Sequence, residues 1–552
     1  MKYLFLIRLF YCGEFRDVSC KTECHAVALN ATKLVAKLRL VVYGGLARDV
    51  RAISGDIMNF LTENIKKLYF KFLGAAFGSA LITSIYSVVD MAMVGQYQGP
   101  EGTAALAVIA PVWNVIYSLG LLMGIGGSVI FATTRGLSKS KESNLQAAAS
   151  ALSTTEPKAH NKGRATPSNE IQPESRNQAR ATSPKAIPPR TTSRSSSPEN
   201  MYFTAAVLGS VILAVISWIS IILFEKPILC FFGADENLLP LSRMYMKPVC
   251  AVFPLFLFNQ MLAAFLRNDG NPNLATAAVL AGGIFNVFGD YFFVFTCDMG
   301  IFGAGLATAI GSAISFVMMC VHFFTKRNTL RLVRIQGFFR CIKEIVTVGF
   351  STFFIDVAMG ILTILFNRQI MKYLGSDALS VYGPVIQIST FVQCCAYSVG
   401  QASQPIISTN FGANQGARIK QTLHLALYTC AFFALFWTAL SEAVPNLYTR
   451  IFMSPSQHIL QIAPGIIRTY SISFLLLPFN IFSTYYFQAI MKPKAAFVVS
   501  VARGLVVSGA LILFLPLVFP PDALWLSMPL TEAITAIYAF SRIKKYTAQL
   551  EN

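Results

Sequence analysis

Leu274-Ala-Thr-Ala-Ala-Val-Leu-Ala-Gly-Gly-Ile-Phe-Asn286-Val-Phe-Gly-Asp290-Tyr-Phe-Phe-Val-Phe-Thr296 is an apolar run long enough to cross a bilayer as a helix. It carries a carboxylate where hydrocarbon disfavours one. Inserting such a group costs at least ~2.5 kcal/mol, so an acid in a spanning segment marks a functional site before it marks a structural one. Asn286 and Asp290 are four residues apart, which puts amide and carboxylate on one helix face. A second acid, Asp90, interrupts the first long apolar run, Tyr69 to Val94.

The remainder of the chain has the same character. Of 552 residues, 54% are hydrophobic and only 13% charged, against about 25% charged in a soluble domain. Apolar runs fall at about 69–95, 103–131, 201–224, 241–266, 273–296 and 301–325, then at about 345–371, 378–409, 419–441, 463–490, 495–519 and 523–541. The expectation is an all-α membrane protein of twelve spans. The formal charge of +19 is spread over short patches between runs, so it argues for the positive-inside rule and against nucleic acid as a partner. Connections after even-numbered spans hold Arg135, Lys139, Arg267, Arg331, Arg418 and Lys492, whereas those after odd-numbered spans are poorer in base: Glu101, then Glu225, Lys226, Asp235 and Glu236, then Asp298, Lys372 with Asp377, Glu442 with Arg450, and Asp522. Both termini are expected on the cytoplasmic side of the plasma membrane. The eleven cysteines are scattered and odd in number, which reads as free thiols and no disulfide framework.

Residues 1–57 lack a span-length run and a signal-peptide layout, and read as a cytoplasmic, disordered extension. The expected organisation is then 58–136 for spans one and two, 137–199 for a disordered Ser/Pro/Thr/Arg-rich cytoplasmic insertion, 200–330 for spans three to six, 331–546 for spans seven to twelve, and 547–552 for a tail. The halves repeat. Gln98-Gly99 with Ala105-Leu106-Ala107-Val108 and Pro111-Val112 returns as Leu374-Gly375 with Ala378-Leu379-Ser380-Val381 and Pro384-Val385, an offset of about 273 to 276 residues. Near Pro272 and Pro493 the offset has fallen to about 221, so the polar segment is an insertion in the first copy. Two six-span bundles related by a parallel repeat are a secondary-transporter architecture.

At 1.5 Å per residue, Asp90, Asp290 and Thr308 each lie roughly 10 Å below the outer surface. The second copy offers Phe366 and Asn367 opposite Asp90 and Leu511 opposite Asp290, so the two bundles have diverged. Two nearby acids in a low dielectric take up a proton readily, and the same oxygens suit Na⁺. The residues leave both open.

Five motifs carry a resemblance to a known family: Val88-Val89-Asp90-Met91-Ala92-Met93-Val94-Gly95, Leu266-Arg267-Asn268-Asp269-Gly270-Asn271-Pro272, Asn286-x-x-x-Asp290, Gly300-Ile301-Phe302-Gly303-Ala304-Gly305-Leu306-Ala307-Thr308 and Gly400-Gln401-Ala402-Ser403-Gln404-Pro405. In this order and at these spacings the chain, from about Met58 to Tyr546, resembles the multidrug and toxic compound extrusion (MATE) transporters of the bacterial multidrug-export type. The resemblance implies a V-shaped pair of six-helix lobes, probed by small organic cations, with efflux driven by antiport against H⁺ or Na⁺ and no other cofactor. It implies an ion-coupling site at Asp90, Asn286, Asp290 and Thr308, with Na⁺ at the first three as the metal option. Gln260, Asn259, Asp356, Asn367, Gln401 and Gln404 are candidates for the substrate cavity. A monomer embedded in lipid is expected. The alternative function is a MATE-like flippase or exporter of a lipid-linked or other amphipathic metabolite, which would favour a more cationic cavity than these spans supply. An enzyme is disfavoured because the five histidines are dispersed, mostly near membrane edges, and the spans hold no His-metal cluster and no nucleophile-base constellation.

Overall fold

Gly99 decides where the first helix ends. Its φ of +67° and ψ of −153° are helix-incompatible, and the following Pro100 disfavours helical backbone at the residue before it. A continuous helical stretch is thereby divided into α1 (Ile65–Gly99) and α2 (Glu101–Gln146). The computed structural model describes residues 60–153, 197–452 and 456–550. Along them follow α3 (Pro198–Phe231), α4 (Leu238–Asn268), α5 (Pro272–Thr296), α6 (Gly300–Phe324), α7 (Phe338–Tyr373), α8 (Gly375–Gly412), α9 (Gly416–Ala443), α10 (Gln457–Ala489), α11 (Pro493–Val518) and α12 (Pro521–Ala548). These twelve helices, among the described residues, are long and apolar enough to cross a membrane. The expected all-α architecture is what the chain adopts.

The backbone repeats as the residues do. Gly99 between α1 and α2 and Gly375 between α7 and α8 both have positive φ, as do Gly270 before α5 and Met491 before α11. Those pairs stand at offsets of about 276 and about 221 residues, the values found in the sequence repeat. Pro272 and Pro493 then open α5 and α11 at their first turns, where a missing amide proton costs nothing.

α2 runs past the boundary expected at residue 137. Helical backbone continues to Ser153, through a Lys-, Glu-, Gln- and Ala-rich stretch with high helix propensity. A stretch whose composition cannot build a core still forms a helix here, because a solvated helix needs no core. The extension 1–57, the insertion beyond residue 153 and the last two residues of the tail lie outside the described residues.

α1–α6 and α7–α12 form the two six-helix lobes. In the first, α4 packs on α6, and α5 on α6; in the second, α8 packs on α9 and α10, and α11 on α7. At the acid-rich end the first lobe has its own apolar core, with Val94, Ile109, Tyr245, Val249, Phe253 and Ile301. At the basic end one continuous core joins the lobes, with Leu122, Ile125 and Val129 of α2 in the same cluster as Ile345 and Val348 of α7 and Val392 of α8. That junction is backbone on backbone. A Cβ on Gly126 would stand 2.2 Å from the Ile345 carbonyl oxygen, and one on Gly412 would stand 1.9 Å from that of Thr133. Gly349 and Gly136 make the same kind of approach, to Leu122 and Thr409.

Candidate functional site

The polar residues of the first lobe converge because three helices in it lack side-chain bulk. α5 and α6 touch through Gly282 and Gly311, where a Cβ on either would stand 2.5 Å or 2.6 Å from the other's carbonyl oxygen. α6 meets α4 at Gly305, whose Cβ would lie 2.4 Å from the Tyr245 carbonyl oxygen. Small residues allow this close approach between spanning helices. The consequence is that Thr308, one turn along from Gly305, faces both Asn286 and Tyr245.

A chain of hydrogen bonds results. Asn286 Nδ2 donates to Thr308 Oγ1 at 3.0 Å and approaches Asp290 Oδ1 at 3.4 Å. The Tyr245 hydroxyl stands 3.4 Å from Thr308 Oγ1 and donates to Asp90 Oδ2 at 3.1 Å. Asn286, Asp290 and Tyr245 are buried, and Asp90 and Thr308 are half-buried. The four residues singled out from the sequence thus lie in one network, and Tyr245 is the member that sequence reasoning missed. A tyrosine in an apolar span reads as packing; only the helix crossing at Gly305 brings its hydroxyl to Asp90.

Three oxygens of this network have no partner. Asp90 Oδ1, Asn286 Oδ1 and Asp290 Oδ2 are buried acceptors without a hydrogen bond. Buried polar atoms are ordinarily paired, and an unpaired one costs about 1–3 kcal/mol. All three want positive charge or a proton. Just beyond Asp290, α5 passes into a π-helical turn, Phe292–Thr296, a backbone irregularity frequent at functional sites. No group of three or more His, Cys, Asp or Glu arranged for a metal occurs among the described residues. A two-carboxylate, one-amide oxygen set fits a proton or a hard monovalent cation instead.

The cavity candidates separate by position. Asn259 is buried inside the first lobe, where its Nδ2 donates to Ser312 O and Oγ at 3.0 and 2.9 Å and ties α4 to α6. Gln404 is buried in α8, and Asn367 is half-buried in α7, each with a side-chain polar atom that has no partner. Gln260 packs against Gly120 and Gly124 of α2. Asp356 and Gln401 lie at the junction of the lobes. Ser118 of α2 donates to Asp356 Oδ2 of α7 at 3.2 Å, and Gln401 lies against the Tyr485 hydroxyl. Tyr117, Tyr397 and Tyr485 surround Asp356 within electrostatic reach. Elsewhere in the second lobe, Arg503 pairs with Glu532 at 2.7 Å, both buried, and Asn480 donates to the same carboxylate at 2.6 Å.

A family model described as MatE matches residues 75–153, 197–292 and 348–512. The chain is 22% identical over 463 residues to the multidrug export protein MepA of Staphylococcus haemolyticus, covering 83% of this chain and 89% of that one. It is 23% identical over 336 residues to MepA of Staphylococcus saprophyticus, covering 60% and 74%. Among solved structures, one described as the outward-facing conformation of a multidrug resistance MATE family transporter of the MOP superfamily superposes with a TM-score of 0.73 at 18% identity, over 89% of this chain and 98% of that one. A Pyrococcus furiosus MOP superfamily transporter, described as having a binding pocket of reverse polarity that suggests a different function, gives 0.73 at 17% over the same shares.

Proposed function

The chain belongs to the MatE family, and on that premise we propose that it is a plasma-membrane multidrug efflux transporter, not an enzyme, which exports organic, mostly cationic compounds by antiport against H⁺ or Na⁺. The observation that carries the coupling half of this reading is the set of three orphaned acceptors on Asp90, Asn286 and Asp290. With a proton or Na⁺ in place one of the two negative charges is neutralised, the repulsion between the acids is relieved and the lobe packs closely. Without it, repulsion between the acids and the cost of keeping them dry favour a wetter, wider site.

α1 carries this change between lobes. Its outer half holds Asp90, while its first turn and the residues just before it are gripped by the second lobe: the Tyr69 hydroxyl donates to Thr429 Oγ1 at 2.9 Å, and Arg418 donates to the carbonyl oxygens of Phe60 and Glu63 at 2.9 and 2.7 Å. A shift of α1 at Asp90 therefore strains contacts at the closed basic end. By charge placement that end faces the cytoplasm, so the arrangement described is the one poised to release substrate outward. Drug and ion oppose one another through this equilibrium, and each lowers the other's affinity by the same factor.

The test is dye efflux from proteoliposomes under an imposed pH gradient and then an imposed Na⁺ gradient. Asp290→Asn and Asp90→Asn are each expected to abolish gradient-driven efflux, and the double variant to be little worse than either, since members of one unit are not additive. No flux of any organic cation under either gradient would sink the antiporter reading, and wild-type flux in a single variant would remove that residue from the site.

A further inference from the structure

Between α6 and α7 the chain passes from one lobe to the other at the basic end, as a non-helical strap over residues 325–337. Every second amide in its middle is fixed to a side chain of the first lobe. The Thr329 amide donates to Asp269 Oδ2 at 2.9 Å, that of Arg331 to Asn200 Oδ1 at 3.0 Å and that of Val333 to Thr204 Oγ1 at 3.0 Å. A period of two is that of extended backbone. Leu330 is buried in the core that joins the lobes, and Ile335 packs against the same core. The strap is therefore docked along its length.

What it turns outward is basic and apolar together. From Phe324 to Phe350 the chain has six Lys or Arg and a single acid, Glu344, which already accepts from the Tyr202 hydroxyl at 2.6 Å and pairs with Arg340 at 3.1 Å. Asp269, which holds the strap, is taken as well, by Arg135 and His322, each at 2.8 Å. Lys326, Arg331, Arg334 and Lys343 are exposed and, among the described residues, form no ion pair. Beside them Phe324, Leu332 and Phe339 are 90%, 69% and 84% exposed. The positive-inside rule accounts for the bases alone. It does not account for a leucine held out between Arg331 and Arg334.

We propose that this strap is a binding site for anionic phospholipid: Arg331 and Arg334 hold headgroup phosphates within the field of Lys326 and Lys343, and Leu332 and Phe339 enter the boundary between headgroups and acyl chains. Basic side chains near a membrane are drawn to anionic headgroups, and apolar ones beside them bury in that boundary. The planar guanidinium suits a phosphate through two parallel hydrogen bonds. The chain's own polar segments are poor occupants by charge, since residues 1–57 and 154–196 each carry more Lys and Arg than Asp and Glu. A lipid held here touches the one segment that links α6 to α7, whichever ion or drug the protein carries.

Leu332→Trp and Phe339→Trp supply fluorescent reporters in the full-length protein, reconstituted in phosphatidylcholine with increasing fractions of dibrominated phosphatidylglycerol or dibrominated phosphatidylcholine. Quenching is read against protein without the reporter. Half-maximal quenching is expected at a mole fraction of the brominated anionic lipid roughly tenfold below that of the brominated neutral one. Each base near an anionic surface is worth about fivefold, so adding Arg331→Gln and Arg334→Gln together should remove most of this preference, and Arg331→Lys with Arg334→Lys should keep most of it. Equal quenching by the two lipids overturns the proposal, as does a preference that survives both Gln substitutions; the comparison of lipids in the reporter proteins stands even if the Gln variant does not fold. Absence of quenching by either lipid would place the strap against something other than the bilayer, and reversal of the preference by soluble glycerol phosphate would make the ligand a free phosphate. Either result also overturns the assignment to phospholipid.

Discussion

At the scale of the residue, Tyr245 turns a pair of separated acids into one site. Asp90 and Asp290 belong to the first and fifth spans, and between them run the hydroxyls of Tyr245 and Thr308 and the amide of Asn286. The Tyr245 hydroxyl donates to Asp90 and so favours its charged, cation-free form. Tyr245→Phe removes that donor and leaves the packing of the ring. It should tighten the hold on the coupling ion by about ten- to a hundredfold, as hydrogen bonds to charged groups go, and slow turnover because release becomes harder. The measurement is the dependence of dye efflux on external pH and Na⁺ at matched protein levels; unchanged ion dependence would place Tyr245 outside the coupling machinery. None of this could be read from Tyr245 itself. Asp90, Asn286 and Asp290 announced themselves by the cost of putting polar groups in hydrocarbon, and tyrosine, half apolar, carries no such signal.

At the scale of the element, closeness is set by what is absent from the helices. α2 lies on α7 and α8 through Gly126, Gly349, Gly136 and Gly412, and every one of these contacts is a carbonyl oxygen where a side chain would be. Transport by alternating access requires this seam to part. Gly412→Ala forces a methyl group to within 1.9 Å of the Thr133 carbonyl oxygen, which demands separation of the helices. Overpacking of this kind costs about 1–3 kcal/mol, enough to move the equilibrium between closed and open basic ends by roughly ten- to a hundredfold. The expected outcome is faster maleimide labelling of Cys341, which is buried on α7, in a background where the other cysteines are replaced. Labelling at the wild-type rate would show that the seam tolerates the methyl group and does not set the equilibrium. The glycines were visible in the sequence motifs, but a motif lists small residues without saying which backbone each one admits.

At the scale of the whole molecule, the two lobes share a backbone plan and differ in content. Positive-φ turns recur at the repeat offsets, yet where the first lobe places Asp90 the second places Phe366, buried against Tyr382 at 4.8 Å and near Trp525 at 5.8 Å. An aromatic cluster fills the place that Asp90 takes in the first lobe, and the second lobe keeps its buried charge instead as the Arg503 and Glu532 pair. The polar insertion interrupts only the first copy, and closing a longer loop costs little more than closing a short one. Replacing residues 154–196 with a short Gly/Ser linker should leave efflux within about twofold of wild type, measured as gradient-driven dye export per reconstituted protein; loss of insertion or of flux would show that the segment contributes to the working fold. Span number, the internal repeat and the unusual acids were determined by sequence alone, because each is a local consequence of hydrophobicity: a run long enough to cross, a pattern that returns, a charge where charge is costly. Which polar atoms meet was decided only by tertiary structure. Helix crossings at Gly305, Gly282 and Gly412 fix separations to within ångströms, and that precision arises from backbone contacts between segments up to hundreds of residues apart. Tyr245 shows the difference most plainly: as a letter in the chain it belonged to an apolar run, and in the fold its hydroxyl donates to Asp90.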